Sequence, residues 1–548
     1  MKLMRVLLVA SLTLLSSSGF AKIKSTTDLF IEVDLLTATQ TSVITENAGI
    51  LSKSNINVNV EALFDGSNVQ GIASSNKAEA QSDTEEGFFM QLPDGIVVTL
   101  VTNRLQSYVE GVETYSGRVK DIETGHFTLS IEDGKVYGQV NIESMVYDIR
   151  YEKLLRSHVL TEIDQARMPH HTPEPPENST THSNALKPMY APTPMLTSPD
   201  IGTVRVLILY ASDVSNASTL ASNIIAKMND SFFDDRMDPD FHVTLAGLRA
   251  LNDDFDGLCK ESILDHMRTA TAPFTNISTW ISDDHADVVL TIASTVANMP
   301  NCTYPTLDRI GGIAYQYSAL IDDPYVVTMD TYAIGDFTAL HEIGHVLGGV
   351  HQDWSVTQIQ SWYPDIESDS RGYMADDQDW QTIMGAYNYT GCDVPINLPA
   401  DCVRIPLWSN PSKSYDGETR GQTHVNATAT PFSANMASAL SVQMPVVAAY
   451  ESYPYSAPGT PSNIDVEECF SQNIVTWDAT TNAEDYQVLY SAFSNFTNPE
   501  VIYFGSHEYV RVVVSQQSTK YIKIRSCNGS GCGSYSSTLT LTYNGYCS

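Results

Sequence analysis

Apolar and polar residues alternate along the first part of the chain, which is the pattern of half-buried β-strands. Phe127, Leu129 and Ile131 alternate with polar neighbours, and Asp133 and Gly134 then separate this run from a second alternating run. A spacing of two interrupted by Asp-Gly predicts a hairpin. This part of the chain is therefore predicted to be β-rich.

A change in composition marks the end of this β-rich region, residues 22–165. Residues 166–201 are rich in Pro, Ser, Thr and Asn, a composition that cannot bury a core. They are predicted to form an exposed linker. Because exposed polar segments are natural sites of proteolytic cutting, we expect a maturation site within this linker.

Strands and helices alternate in residues 202–451. The run TVRVLILYASDV is a nearly continuous apolar strand, and NASTLASNIIAKMNDSF has the three-to-four spacing of an amphipathic helix. Further strands are expected at FHVTLAGLRAL, ADVVLTIAS and GGIAYQY. Alternation of this kind predicts an α/β domain built around a mixed sheet.

The last part of the chain carries strand signals alone. A short linker, residues 452–460, leads to residues 461–548, where runs such as NIVTWDA and DYQVLYS recur at the spacing of a β-sandwich. Trp477 and Tyr521 are expected in its core. Since 548 residues are too many for one hydrophobic core, the chain is predicted to be multidomain.

Residues 1–21 have the pattern of a secretory signal peptide. Lys2 and Arg5 precede an apolar run, and Gly19 and Ala21 supply small residues, so cleavage is expected after Ala21. The apolar run is too short to cross a bilayer, and no later run in the sequence is long enough. The sequence therefore predicts a secreted, extracellular protein without membrane insertion.

The net charge of the chain limits the classes of molecule that it is expected to bind. Thirty Lys and Arg residues against 65 Asp and Glu residues give a formal net charge of −35, which argues against nucleic acid because its phosphates are repelled. Asp365, Glu367 and Asp369 alternate as the ligands of a calcium loop do, but the central glycine and the closing glutamate of an EF-hand are missing. A solvated acidic loop is favoured over a Ca²⁺ site. The oligomeric state stays unknown.

The eight cysteines all lie after residue 258, and their even number in an exported chain predicts four disulfides. Two of them flank the sequence NGSG, as if they close a hairpin. The connectivity cannot be proved from sequence. The simplest pairing is Cys259–Cys302, Cys392–Cys402, Cys527–Cys532 and Cys469–Cys547.

The stretch TALHEIGHVLGGVHQDW, residues 338–354, concentrates candidate chemistry in a chain with 13 histidines. His341 and His345 are four residues apart, so a helix presents both imidazoles on one face to a single metal ion. Glu342 lies beside them, where it can take a proton from a water on that metal. The pattern therefore predicts a metal site on a helix.

Two glycines give a third ligand its position. Gly348 and Gly349 allow backbone conformations closed to bulkier residues, which ends the helix and returns His351 to the same ion. Three neutral nitrogens and a water make an open zinc site, in which the metal lowers the pKa of the water and polarises a carbonyl. The predicted metal ligands are His341, His345 and His351, and the predicted catalytic residue is Glu342.

Other interpretations of this stretch remain. The histidines of a buried helix can be satisfied by hydrogen bonds, and a structural zinc site can stabilise an extracellular adhesin or matrix-binding protein. A structural site, however, needs a fourth protein ligand and has no use for Glu342, so a catalytic site is favoured. A peptidase that trims only chain termini is a third alternative.

The extended motif H-E-x-x-H-x-x-G-x-x-H resembles that of the metzincin zinc endopeptidases, which carry a methionine-containing turn beneath the metal. Met374 and Met384 both follow at a suitable distance, and Met384 is preferred because an apolar approach precedes it. The stretch RIPLWSNPSKSYDG, which starts at Arg404, is similar to one in bacterial reprolysin-like (adamalysin-like) metzincins. The resemblance covers about residues 202–451.

This resemblance implies a zinc-dependent metalloendopeptidase that cuts internal peptide bonds of extracellular proteins and is made as a zymogen. The β-rich region 22–165 resembles the propeptide of the same group, and residues 461–548 resemble a fibronectin type III module. GGIAYQY resembles the edge strand along which metzincins lay an extended substrate, although a plain sheet edge explains it almost equally well.

Some details of the resemblance stay open. Tyr387 follows Met384 by three residues where some metzincins have a spacing of two, so a core or surface position is favoured over an approach to the metal. No cysteine precedes Cys259, so inhibition by the propeptide needs another ligand, such as Asp164 or a linker histidine, or steric cover. The linker histidines, otherwise expected to be solvated, are His170, His171 and His182.

Overall fold

The structure is a computed structural model, and it describes most of the chain in separate stretches. The described residues are 30–35, 50–58, 88–153, 155–165, 203–234, 241–294, 311–315, 324–352, 367, 369–375, 380–385, 403–422, 433–469, 472–514 and 518–543. Within them the chain is β-rich, with a large mixed sheet and few helices.

The first nine strands form one antiparallel sheet, which we call the N-terminal sheet. Strands β1 and β2 pair at one end, and β3 pairs with β4 at the other. The strands are β1 (Phe30–Leu35), β2 (Ile50–Val58), β3 (Phe88–Gln91), β4 (Val97–Ser107), β5 (Val112–Val119), β6 (His126–Glu132), β7 (Lys135–Ile142), β8 (Met145–Glu152) and β9 (Ser157–Asp164).

The hairpin predicted from alternation is confirmed. Strands β6 and β7 pair antiparallel, and Asp133 and Gly134 between them have φ of 49° and 70°. Two-residue hairpin turns need positive φ at both central positions, which Asp-Gly tolerates. Phe127, Leu129 and Ile131 are buried on the inner face of the sheet, as their spacing predicts.

A five-stranded sheet, which we call the central sheet, comes next along the chain, in the order β11-β10-β12-β14-β13. Its strands are parallel except β13, which pairs antiparallel with β14 at the edge. The strands are β10 (Val204–Tyr210), β11 (Val243–Ala250), β12 (Val288–Ala293), β13 (Gly312–Ala314) and β14 (Tyr325–Met329). The predicted strand and helix signals of this region therefore appear in the described residues.

The helices contribute to the same hydrophobic core as the central sheet. They are α1 (Ala217–Asp234), α2 (Lys260–Thr269), α3 (Ile277–Asp284), α4 (Tyr332–Gly335), α5 (Thr338–Val346) and α6 (Met436–Val447). Short strands near α5 are β15 (Trp380–Gln381), β16 (Val403–Arg404), β17 (Asn410–Tyr415) and β18 (Glu418–Arg420). None of the helices in the described stretches is both long enough and apolar enough to cross a membrane.

Helix α1 is present where the amphipathic pattern predicts it, but its polar side is not solvated. Asn223, Asp230 and Ser231 are all buried in the structure. The reason is tertiary: the N-terminal sheet packs against α1, in contact through β5, β6 and β7. The helix therefore lies between two sheets.

The last strands form two sheets that share one core, which we call the C-terminal sandwich. Val475 and Trp477 contribute from the side of β20, and Val488 and Ile524 from the facing sheet. Tyr521 is only partly buried, because the neighbouring Ile522 takes the inward position. The strands are β19 (Asp465–Cys469), β20 (Gln472–Thr476), β21 (Asp485–Ser491), β22 (Glu500–Gly505), β23 (Tyr509–Val513), β24 (Thr519–Asn528), β25 (Gly531–Cys532) and β26 (Leu539–Thr542).

The cysteines give a mixed outcome. The disulfide Cys527–Cys532 closes the β24–β25 hairpin, as predicted. Cys259 is a free thiol at the start of α2, with its Sγ 3.2 Å from Ser262 Oγ, and its predicted partner Cys302 lies outside the described residues. The other predicted pairs involve side chains outside the described residues.

The C-terminal sandwich and the N-terminal sheet are continuous. Strand β22 pairs in parallel with β4, which places Tyr503 opposite Leu105 and Gly505 opposite Ser107. The result is a single sheet of 14 strands that spans the first and last parts of the chain.

Asp485 gives the contact between the C-terminal sandwich and the central sheet a pH dependence. Its carboxylate accepts a hydrogen bond from Thr244 Oγ1 at 2.7 Å, and desolvation by burial raises its pKa to about 7 from an ordinary value of 3.8. A folded-state pKa above the unfolded value means that stability is lost as pH rises through about 7. One pKa unit corresponds to about 1.4 kcal/mol, so the effect is on the order of a few kcal/mol.

We therefore expect Asp485→Asn to flatten the fall in melting temperature between pH 5 and pH 8 and to raise the melting temperature at pH 8. The asparagine carbonyl can still accept the Thr244 hydrogen bond, so only the ionisation is removed. Thermal unfolding followed by circular dichroism at several pH values measures this. An unchanged pH slope in the variant would contradict the assignment.

Candidate metal centre

Helix α5 is short because both of its ends are set by specific residues. At its start, the Asp336 carboxylate accepts hydrogen bonds from the backbone N–H and the hydroxyl of Thr338. At its end, Gly348 adopts φ of 90° and donates its N–H to His345 O at 3.1 Å. The predicted role of Gly348 in ending the helix is confirmed, since this left-handed conformation favours glycine.

The three predicted histidine ligands come together in the structure. His351 Nε2 lies 3.0 Å from Nε2 of His341 and 3.0 Å from Nε2 of His345. All three residues are buried and form a group able to hold a metal ion. The turn after α5 therefore brings the third imidazole to the two that the helix presents.

Hydrogen bonds to the backbone orient two of these rings. His341 Nδ1 lies 2.6 Å from Ile383 O, and His345 Nδ1 lies 2.9 Å from Gly349 O. Because a carbonyl oxygen only accepts, each Nδ1 carries the proton and each Nε2 presents its lone pair to the centre of the group. This tautomer is the one that a metal ligand requires.

The donor set fits zinc. Two nitrogens that are each about 2.0–2.1 Å from one tetrahedral ion lie about 3.4 Å apart, close to the Nε2 separations observed here. Three imidazoles are a borderline-soft set that suits zinc better than calcium or magnesium. Within the described stretches this group holds three histidines, which matches a site whose fourth position is open.

Glu342 follows His341 on α5 and packs against the edge strand β13. Its side chain is 4% exposed, and its Cγ would be 2.8 Å from a Cβ added at Gly312. Gly312 begins β13, the last strand in the order of the central sheet. The Glu342 side chain, adjacent in sequence to His341, thus packs against the strand on which the resemblance predicts an extended substrate.

Met384 packs beneath the ligand helix. A Cβ added at Gly344, between the two helical ligands, would lie 2.3 Å from Met384 Sδ and 3.2 Å from Trp408. Met384 is 1% exposed, whereas Met374 is only partly buried. The structure therefore places Met384, the preferred methionine, in the floor of the site.

Arg404 and Gln165 are structural parts of the site that the sequence did not reveal. The buried guanidinium of Arg404 donates to Asp336 O at 3.0 Å and to Gly385 O at 2.9 Å, so it joins the start of α5 to the loop after Met384. Gln165 Nε2 donates to Gly335 O at 3.2 Å and to Arg404 O at 3.4 Å. The signal for Arg404 was the RIP sequence, which suggests no role by itself.

Other predicted candidates lie elsewhere. Asp164 is not a member of the histidine group, and Glu367 and Asp369 belong to no metal-competent group in the described residues. Glu367 O accepts a hydrogen bond from Ser370 N within a turn, whereas Asp369 accepts bonds from the distant Asn435 N and Ser433 Oγ. Asp365, Tyr387 and the linker histidines His170, His171 and His182 lie outside the described residues.

Comparisons with known proteins identify a distant relative. No family model matches the chain. The peptidyl-Asp metalloendopeptidase of Stenotrophomonas maltophilia is 24% identical over 349 residues, which cover 60% of this chain and 73% of that protein.

Solved structures match only a small part of the chain. An Fn3-like protein from Clostridium thermocellum is 19% identical to this chain. The aligned region covers 16% of this chain and 96% of that protein, with a TM-score of 0.15. The FN1-FN3 domains of chicken CNTN1 are 20% identical and cover 16% of this chain and 33% of their own, also with a TM-score of 0.15. Scores this low carry no argument about the fold.

Proposed function

We propose that this chain is a secreted zinc metalloendopeptidase of the metzincin, reprolysin-like type, which hydrolyses internal peptide bonds of extracellular proteins. The observation that carries the proposal is the convergence of three Nε2 atoms beside the buried carboxylate of Glu342. The name of the distant relative supports the broader class, a metal-dependent endopeptidase with protein or peptide substrates.

The chemistry follows from the residues around the histidine group. A zinc ion held by His341, His345 and His351 would polarise the peptide carbonyl and lower the pKa of water when bound. Glu342 takes a proton from the attacking water and passes it to the nitrogen of the leaving amine as the peptide bond breaks. Burial of Glu342 limits competing solvent around this carboxylate.

The edge strand supports recognition of an extended peptide. Strand β13 pairs with β14 on one side, and Gly312 on β13 contacts Glu342. A peptide added along the free side of an edge strand gains main-chain hydrogen bonds irrespective of its sequence. The scissile bond would then lie across Glu342 and the imidazoles.

The rest of the chain fits an enzyme made as a precursor. We propose that residues 22–165 are a propeptide, that maturation occurs between 166 and 201, and that residues 461–548 are a fibronectin type III-like appendage. N-terminal sequencing of the secreted protein tests the first two parts of this proposal. A secreted chain that always starts directly after Ala21 would argue against maturation in the linker.

Removal of the metal should abolish cleavage without unfolding the protein. We expect a chelator to reduce casein hydrolysis to below about 1% of the untreated rate, since the metal supplies the Lewis acid, and one equivalent of Zn²⁺ to restore it. Circular dichroism should show little change, because the central sheet does not depend on the ion. A processed chain that cleaves nothing and unfolds on chelation would instead favour the adhesin with a structural metal.

A further inference from the structure

The N-terminal sheet presents a polar face to helix α1, and that face is buried. Four polar side chains on β4, β5 and β6 form hydrogen bonds with polar side chains of the helix. The matched pairs are Gln106 Nε2 to Asp230 Oδ1 at 3.0 Å, Ser116 Oγ to Asp230 Oδ1 at 3.1 Å, Thr114 Oγ1 with Ser222 Oγ at 2.7 Å, and Ser130 Oγ to Asn223 Oδ1 at 3.0 Å. Each such hydrogen bond contributes a modest net stabilisation, because water replaces the partner on separation, and the matched set makes the two faces specific for each other.

Arg104 on β4 joins three parts of the chain at one point. Its Nη1 donates to Asp230 Oδ1 at 3.0 Å and its Nη2 to Asp234 Oδ1 at 2.6 Å, both on α1. Its Nε donates to Val501 O of the C-terminal sandwich at 3.0 Å. The Arg104 and Asp230 side chains are 5% and 11% exposed, so this pair is desolvated and charge-assisted, whereas the Asp234 side chain is partly exposed.

The Arg104 guanidinium stays positively charged in the folded protein. Burial lowers its pKa, but the attraction of Asp234 and Asp230 outweighs this effect, and the pKa is raised above the ordinary value. If the N-terminal sheet dissociated, the Asp230 carboxylate would lose its hydrogen bonds from Arg104, Gln106 and Ser116 together. Breaking a buried ion pair by removing one partner is strongly destabilising.

One edge of β4 pairs with a strand of the C-terminal sandwich. The parallel pairing of β22 with β4 is extended by a hydrogen bond from Ser506 N to Ser107 O at 3.2 Å. This contact gives the edge of the N-terminal sheet a strand partner from beyond the linker, which is the manner of β-strand addition. The N-terminal sheet is therefore held on one side by α1 and at one edge by β22.

The end of the N-terminal sheet also contacts the support of the metal centre. Gln165 Oε1 accepts the N–H of Arg404 at 3.0 Å, and its Nε2 donates to Gly335 O and Arg404 O. Gln165 is 1% exposed. Since Gly335 ends α4 directly before the ligand helix, this side chain contributes to the base on which α5 lies.

We propose that residues 88–165 remain bound as a non-covalent subunit after the chain is cut in the linker 166–201, with helix α1 and strand β22 as their docking surface. A cut in the linker removes none of the contacts described above, because every one of them joins residues on either side of that segment. The partner is thus a segment of the same chain. The proposal goes beyond the proposed peptidase activity and does not depend on it.

The test uses full-length, zinc-loaded protein with the substitution Glu342→Gln, so that no cleavage by the protein itself intervenes, and with a protease recognition sequence inserted in the linker. After cutting by the added protease, size-exclusion chromatography and native mass spectrometry report whether the two fragments separate. We expect one complex that contains both fragments and keeps its zinc. Release of the N-terminal fragment under native conditions would overturn the proposal.

Matched variants test whether Arg104 is central to the docking surface. In the cut protein, Arg104→Met should raise the dissociation constant of the fragments by at least about 30-fold, as loss of one partner of a buried charge pair does. Arg156→Met, at an exposed turn between β8 and β9, should leave the dissociation constant unchanged. Equal dissociation constants for the two variants would refute the assigned surface.

A milder variant protects the test against misfolding of Arg104→Met. The Asp234 side chain is 44% exposed, so Asp234→Asn should fold, and we expect it to raise the dissociation constant by about 3- to 10-fold through loss of one charge-assisted hydrogen bond. Melting of the uncut chains serves as the check of folding. No increase in the dissociation constant for a folded Asp234→Asn variant would count against the proposal.

Discussion

Replacing Glu342 by alanine is expected to lower the rate of peptide hydrolysis by about 10³-fold, while zinc content and melting temperature stay close to those of the unaltered protein. In the proposed mechanism Glu342 moves a proton between water and the leaving amine, and a general acid–base group of this kind contributes about 10²–10⁴-fold. The donor atoms of the group are imidazole nitrogens alone, so metal binding should survive. Cleavage of a quenched peptide substrate and zinc analysis of the same sample measure both effects.

The control for this substitution is Glu110→Ala, in an exposed loop between β4 and β5. This substitution also removes a glutamate side chain, but away from the histidine group, so the rate of peptide hydrolysis should stay unchanged. Full activity in Glu342→Ala would refute the proposed mechanism. Loss of zinc together with activity would instead show that Glu342 is needed to build the site.

Gly344→Ala is expected to produce the second large effect, a loss of about 1–2 kcal/mol in the free energy of unfolding and about a 10-fold weaker affinity for zinc. Alanine is favoured over glycine in a helix by about 1 kcal/mol, but overpacking a buried site costs about 1–3 kcal/mol. The added Cβ would lie 2.3 Å from Met384 Sδ, so the clash should exceed the gain in helix propensity. Denaturant unfolding and zinc competition titration measure the two quantities.

A double-mutant cycle identifies the cause. If the clash with Met384 is responsible, the cost of Gly344→Ala should shrink when Met384→Ala is already present. Gly459→Ala, at an exposed position where the nearest atom to the new Cβ is 4.0 Å away, should be nearly neutral. An undiminished cost in the Met384→Ala background would exclude packing against Met384 as the reason.

Several features of the fold could be predicted because their signals are local. The β6–β7 hairpin follows from alternating residues around Asp133 and Gly134, whose φ values are those the turn needs. Helix α1 follows from its three-to-four spacing. Gly348 ends α5 because a left-handed residue is required there, and glycine supplies it.

The same local patterns were misleading about burial. Alternation around Phe127 and Leu129 predicts that the intervening Thr128 and Ser130 face solvent, yet both are fully buried. The cause is that the polar faces of the N-terminal sheet and of α1 pack against each other, where Thr114 pairs with Ser222 and Ser130 with Asn223. An amphipathic pattern indicates which face is apolar, but it does not exclude a polar face from an interface.

The sequence by itself predicted the three histidines that the structure brings together. His341 and His345 share a helix face by the period of the helix, and one glycine turn returns His351, so 11 consecutive positions contain the whole arrangement. Only the tertiary structure decided what supports this arrangement. Arg404 and Gln165 are 239 positions apart, and Arg104 is 126 positions from Asp230 and 397 from Val501. Contacts over such separations have no period along the chain, because they depend on how whole sheets and helices pack against one another.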